Sequence, residues 1–175
     1  MKDRVKIKKE DKSLFITIPA FKDAGKQKML LMWIALFSFC GAAIISQFFG
    51  NYANTTKIFF GVYVAFWFFF EFKVVYAYRW RSKGLEKAIV ENDQLILIKE
   101  IGKRGISQSY ALKDISTLRL FKNEDSDFVK SMTTSYWNIN KYTIAFNYQD
   151  NAIPFGIDLT KKQANNIIKE ISKFL

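Results

Sequence analysis

Apolar residues follow distinct patterns along this chain. From Met29 to Phe49 and from Ile58 to Phe70 they form runs without a charge, and the second run resumes as Val74 to Tyr78 after Glu71 and Lys73. At about 1.5 Å of rise per helical residue, roughly 20 residues match the ~30 Å hydrocarbon layer of a bilayer. The spacing predicts membrane-spanning helices over 29–49 and 58–80, joined as a tight hairpin by Gly50 to Lys57. From Gly84 onward the pattern shortens to β-type runs separated by turn residues. Ala88 to Glu91 and Gln94 to Lys99 flank Asn92-Asp93, a tight-turn dipeptide. Gly105 to Leu112 and Ile115 to Phe121 flank Lys113-Asp114, and Tyr142 to Tyr148 and Ala152 to Ile157 flank Gln149-Asp150-Asn151. The polar stretch Lys122 to Thr134 reads as a surface loop.

The chain closes on a third pattern. Ala164, Ile167, Ile168, Ile171, Phe174 and Leu175 recur at helical spacing on one stripe. Thr160 and Gln163 form a capping box at its start. Such a stripe must cover something apolar, and the open end of a curled antiparallel sheet is the available surface. Near the start, Ser13 to Ile18 alternates partly and is bounded by Pro19. We read it as a strand added to the edge of that sheet; the alternative is a segment lying on the membrane surface. The expected organisation is an amino-terminal segment over 1–28 with that added strand at 13–18, a helical hairpin over 29–80, and a sheet unit over 84–175.

Charge supplies the orientation. Nine basic residues precede Met29, and Arg79, Arg81, Lys83 and Lys87 follow the second run, while the hairpin loop carries only Lys57. Short cytoplasmic flanks carry the Lys and Arg excess, so both termini are expected on the cytoplasmic side of the cell (inner) membrane. The long, acid-containing segment before Met29 and the length of the first run argue against a cleaved signal peptide. A formal net charge of +11 then reads as topology signal and attraction to anionic lipid rather than to nucleic acid. With no histidine and one cysteine, Cys40, the chain contains no Ser-His-Asp triad, Cys-His pair, His/Cys zinc site or intrachain disulfide. No phosphate-binding glycine loop or cofactor motif occurs, and Asp150 and Asp158 read as turn carboxylates that solvate or cap. An enzyme is not expected, and neither a metal nor a cofactor is called for.

Spans pack without a hydrophobic drive between them, so small residues at matching depth mark an interface. Counting away from the loop, Ser46 faces Gly61, Ala42 faces Ala65 and Ser38 faces Phe69, which predicts a hairpin interface on Ser38, Ala42, Ser46, Gly61 and Ala65. Glu71 and Lys73 are the charges between Ile58 and Tyr78. Lys73 can snorkel to the surface. Glu71 is protonated, or accepts a bond from Ser38, or lies where a short span ends at the membrane interface near Phe70, the last being the preferred reading. Tyr76, Tyr78 and Trp80 suit interfacial anchoring, and Trp67 lies deeper. Asn54-Thr55-Thr56 has the form of a glycosylation sequon in a loop too short to use it.

A seven-strand antiparallel array closed by a carboxy-terminal helix resembles a pleckstrin-homology-like domain. The order of a paired span, Gly84-Leu85-Glu86, the stretch Tyr110 to Leu120, and Phe155-Gly156 before Leu159 and the last helix is similar to small bacterial two-span membrane proteins of unassigned function with a cytoplasmic PH-like domain. The resemblance implies an α+β fold and a membrane location, with no catalytic residue. It points to a membrane-anchored interaction or scaffold module for a membrane-protein or peptide partner. Anionic lipid at the inner leaflet is the alternative. Headgroup-binding PH domains generally use basic residues between their first two strands, where this chain has Asn92-Asp93. Lys99, Lys103 and Arg104 are the better anion candidates. A homo-oligomeric channel or transporter component is a further alternative.

Overall fold

The computed structural model describes residues 4–121 and 136–175; the predicted loop from Lys122 to Thr134 falls outside the described residues. Strands β1 (Lys6–Glu10) and β2 (Ser13–Pro19) come first, followed by α1 (Ala24–Ser46), a short 3-10 turn and α2 (Asn54–Lys83). Then follow β3 (Gly84–Glu91), β4 (Gln94–Ile101), β5 (Arg104–Ala111), β6 (Ile115–Leu120), β7 (Tyr142–Tyr148), β8 (Asn151–Ile157) and α3 (Lys161–Ile171). The strands form two antiparallel sheets, one of five in the order β1-β2-β3-β4-β5 and one of three in the order β6-β7-β8. The chain is thus α+β, with two long apolar helices, two antiparallel sheets and a carboxy-terminal helix.

The helical hairpin is inserted between two neighbouring strands. Strand β2 pairs with β3 from Leu14↔Val90 to Pro19↔Leu85. The chain leaves this pair into α1, returns along α2 and enters β3 with no intervening residue. The segment before the hairpin therefore belongs to the same sheet as the chain after it, and β2 lies inside that sheet rather than at its edge. The edge is β1, a strand that the apolar pattern does not show. Its sequence is KIKKE, in which Ile7 alone packs against the core. A lysine-rich strand suits an edge, because its charges oppose pairing with another chain.

Alternation explains the sheet unit's core. Leu14, Ile16 and Ile18 of β2, Ala88 and Val90 of β3, and Leu95 of β4 are buried, as are Ile144, Phe146 and Phe155 of the second sheet. Helix α3 adds Ala164, Ile167 and Ile171. Its first turn carries the predicted capping box, Thr160 Oγ1 accepting from the Gln163 N–H at 3.2 Å. Lys9 of β1 lies 2.6 Å from Glu170, tying the edge strand to α3. Hairpin turns at Asn92-Asp93, Gly102-Lys103 and Gln149-Asp150 place both residues at positive φ, the backbone twist that two-residue hairpins require.

The hairpin helices are long and apolar enough to cross a membrane, yet only 11% of the most apolar stretch of α1 and 6% of that of α2 is buried. They are not the buried core helices of this fold. Against the sheet unit, Leu30, Ala77 and Trp80 form a second small core with Ile139 and Ile157.

Candidate functional site

Arg81, in the last turn of α2, is 2% exposed. Its guanidinium donates to the carbonyls of Tyr136 at 3.1 Å, Asn138 at 3.1 Å and Phe21 at 3.3 Å, and pairs with Asp158. It also lies 4.8 Å from the centroid of the Tyr136 ring. Arg4 donates to the carbonyls of Pro19, Asp158 and Ile157. Tyr136 donates its hydroxyl to Gln27 Oε1 at 3.0 Å, while Gln27 Nε2 donates to Ser82 Oγ at 2.7 Å and to the Tyr78 carbonyl at 3.2 Å. This network joins both helices to both sheets. Asp158 is therefore not a solvated turn carboxylate but the partner of a buried arginine. The sequence held one signal for it: Arg81 continues the stripe Val74, Ala77, Tyr78 at helical spacing, and a charge on a buried stripe demands a partner.

The two short motifs that carried the family resemblance meet in space. Glu86 is 4% exposed, and its carboxylate accepts the N–H groups of Gly156 at 3.1 Å and Ile157 at 2.8 Å. A carboxylate from β3 thus satisfies donors of β8, an edge strand of the other sheet. Gly156 has φ +77, and a Cβ there would meet Leu159 at 2.7 Å, so the position takes glycine. Burial raises the Glu86 pKa above the ordinary carboxylate range, opposed by the two N–H groups and by Lys99 and Arg4.

Beside this junction, a cleft of about 720 Å³ opens between α2 and the sheet unit, lined by Phe69, Phe72, Lys73, Tyr76, Lys99 and residues 137–140. The Lys99 ammonium sits 5.0 Å from the Trp80 ring centroid and 5.4 Å from that of Tyr142, and donates to the Tyr142 hydroxyl at 3.2 Å. Lys73 holds its ammonium 4.9 Å from the Phe69 ring. Of the predicted anion-binding cations, Lys99 lines this cleft. Lys103 and Arg104 lie exposed at the β4–β5 turn and do not. Lys73, read as a snorkelling residue, supplies the second cation. The arrangement presents two ammonium groups on an aromatic wall, which suits an anion attached to an apolar body.

The predicted helix interface is displaced around both helices. Ala42, Ser46 and Ala65 are exposed, and a Cβ at Gly61 would meet nothing within 4 Å. Instead the Trp67 indole fills the space over Gly41, where any Cβ would overlap it, and donates to the Phe37 carbonyl at 2.8 Å. A large ring packs into a glycine notch, a pattern that matching small residues with small residues cannot find. Ser38 alone of the predicted set makes a cross-helix polar contact, donating to Glu71 Oε1 at 2.6 Å. Helix α2 runs on past Phe70 to Lys83, so Glu71 lies inside a continuous helix. A second cavity, of about 470 Å³, lies beside it between the helices.

Helix α2 thus places Lys73 and Glu71, two residues apart, in separate cavities, one basic and one carrying a carboxylate, and Trp137 lines both. No family model, curated protein or solved structure matches the chain.

Proposed function

We propose that this chain is a membrane-anchored module whose PH-like sheet unit sits at the cytoplasmic face and receives an anionic lipid headgroup in the cleft between α2 and β4. The observation that carries the reading is the convergence of Lys73 and Lys99 on that cleft, with Phe69, Phe72, Tyr76 and Trp137 beside them. Exposed apolar side chains along both helices support insertion, since Phe39 of α1 is 75% and Phe59 of α2 is 71% exposed, and surface of that kind must be covered. Counting β2 to β5 as one sheet and β6 to β8 as the other, closed by α3, gives the four-plus-three order that a PH-like fold calls for, with β1 added. Antiparallel pairing brings Pro19, Gly84, Ile101 and Arg104 to the helix end of the five-stranded sheet. Lys22, Lys26, Lys83, Lys103 and Arg104 all belong to that end, where an anionic leaflet would attract them.

The test uses the full chain in nanodiscs of phosphatidylcholine with and without phosphatidylglycerol, reading retained lipid by native mass spectrometry. Selective retention of phosphatidylglycerol is expected, and its loss in a Lys73→Gln, Lys99→Gln variant. Equal retention of both lipids, or undiminished selectivity in the variant, would overturn the reading.

A protein or peptide partner is the second reading, favoured by β5. Among the described residues this strand has a hydrogen-bonded neighbour on one side only. Arg104 to Ser109 are exposed, Ile106 by 75%. An open edge of this kind accepts an added strand from an extended peptide. A photocrosslinker at Ile106 should trap such a segment, and an Ile106→Glu variant should lose the partner with its fold intact.

A further inference from the structure

Between α1 and α2 the cavity of about 470 Å³ is lined by Leu30, Trp33, Phe37, Phe70, Glu71, Val74 and Trp137. Its volume lies in the range of small-molecule sites. Its wall is apolar except for the Glu71 carboxyl. Oε1 of that group is taken by Ser38 at 2.6 Å, whereas Oε2 is buried with no hydrogen-bond partner among the described residues. An orphaned buried carboxylate oxygen is costly unless something supplies its partner. Lys73, two residues on in the same helix, does not, because its ammonium turns to the Phe69 ring and the other cavity. Four aromatic side chains, Trp33, Phe37, Phe70 and Trp137, line the same space, and aromatic rings attract cations through their negative faces. Trp33 and Phe70 are 59% and 41% exposed, so the cavity opens sideways, between the helices, to whatever surrounds them.

We propose that this cavity binds a lipophilic monovalent cation, an ammonium group carried on an apolar body, with Glu71 Oε2 facing the charge and the aromatic side chains enclosing it. The site is separate from the headgroup cleft, takes the opposite charge and does not depend on the lipid reading. Charge complementarity decides the occupant: an acyl chain fills the volume but leaves Oε2 unpaired, and an anionic guest would face the carboxyl directly.

The test is equilibrium dialysis of a phenylalkyl trimethylammonium ion against the full chain in phosphatidylcholine nanodiscs, with protein-free nanodiscs as the blank. The neutral analogue, with tert-butyl replacing trimethylammonium, has the same shape. Saturable binding of the cation is expected, at least about tenfold tighter than the neutral analogue, since cation–π and charge pairing in a desolvated site exceed the free energy of one decade in affinity. Glu71→Gln should bring the two ligands to similar affinity, and Trp33→Leu should weaken the cation while leaving the carboxyl in place. Equal binding of the two ligands to the unaltered chain would overturn the proposal without recourse to any variant, as would absence of saturable binding. Undiminished cation affinity in a folded Glu71→Gln protein would overturn it as well.

Discussion

In the sheet unit Leu14, Ile16, Ile144, Phe146, Ile167 and Ile171 are wholly buried, whereas in the helical hairpin Phe39, Phe49, Phe59 and Phe72 each expose 70% or more of their surface. The first region supplies its own apolar interior. The second exposes its apolar surface outward, and its helices meet through Trp67 over Gly41, Ser38 on Glu71, and Gln27 on Ser82 and Tyr78. The difference teaches that stability in this chain is divided by source, the sheet unit burying its apolar side chains against one another across the whole sequence and the hairpin leaving most of its own on the outside.

The strongest challenge to this division is removal of the amino-terminal strands. A chain of Gly84 to Leu175 lacks Leu14, Ile16 and Ile18; each such loss costs about 2–5 kcal/mol, against a typical domain stability of about 5–15 kcal/mol. It should show the collapsed amide NMR dispersion of an unfolded chain. Joining Pro19 to Gly84 through a short turn in place of the helices should restore a dispersed spectrum. A folded 84–175 fragment would break the comparison, because the core would then not span the hairpin.

Next in size is Asp158→Ala, which leaves the buried Arg81 guanidinium without its carboxylate and should cost about 3–5 kcal/mol in urea unfolding of the full chain. The double substitution Arg81→Met, Asp158→Leu should cost less than Asp158→Ala alone, since no unpaired charge remains. Within the hairpin, Gly41→Ala drives a methyl into the Trp67 ring and should cost about 1–3 kcal/mol. Gly61→Ala, with open space around it, should gain up to about 1 kcal/mol from helix propensity. Reversal of that order in detergent-solubilised unfolding would show that the notch is not what joins the helices.

The smallest expected effect sharpens the contrast from the sheet side. Because burial raises the Glu86 pKa in the fold, folding favours the protonated carboxyl. The stability this group contributes is fully present below the ordinary carboxylate range and fades as pH rises through the raised value. The urea midpoint of the unaltered chain should therefore fall across that window more than that of Glu86→Gln. Parallel profiles would mean that Glu86 titrates as it does in the unfolded chain.

What could be read from the sequence was what repeats locally. Alternation marked β2 and most later strands, helical spacing with Thr160 and Gln163 marked α3, and unbroken apolar runs marked the two helices. What could not be read lies between distant positions: Arg81 and Asp158 are 77 residues apart, and Glu86 and Gly156 are 70 apart. No local period encodes such pairs. Strand β1 was hidden for the opposite reason, since four of its five residues are charged and only Ile7 turns inward. The candidate site was half legible: Lys99 stood out as a cation near a turn, but its partner Lys73 is brought to it by the return of α2 onto the sheet.

The unbroken passage of α2 into β3 gives the molecule a mechanical property. Strand β3 is the middle strand of its sheet, with β2 hydrogen-bonded on one side and β4 on the other, and the Arg81 network clamps the joint. No linker residue separates helix from sheet. Helices of fixed apolar length tilt when the hydrocarbon layer around them thins, and here a tilt of the hairpin would carry the sheet with it as a lever. With the hairpin inserted as proposed above, the angle at which the cleft between α2 and β4 met the leaflet would then depend on bilayer thickness, and the sheet unit would report that thickness.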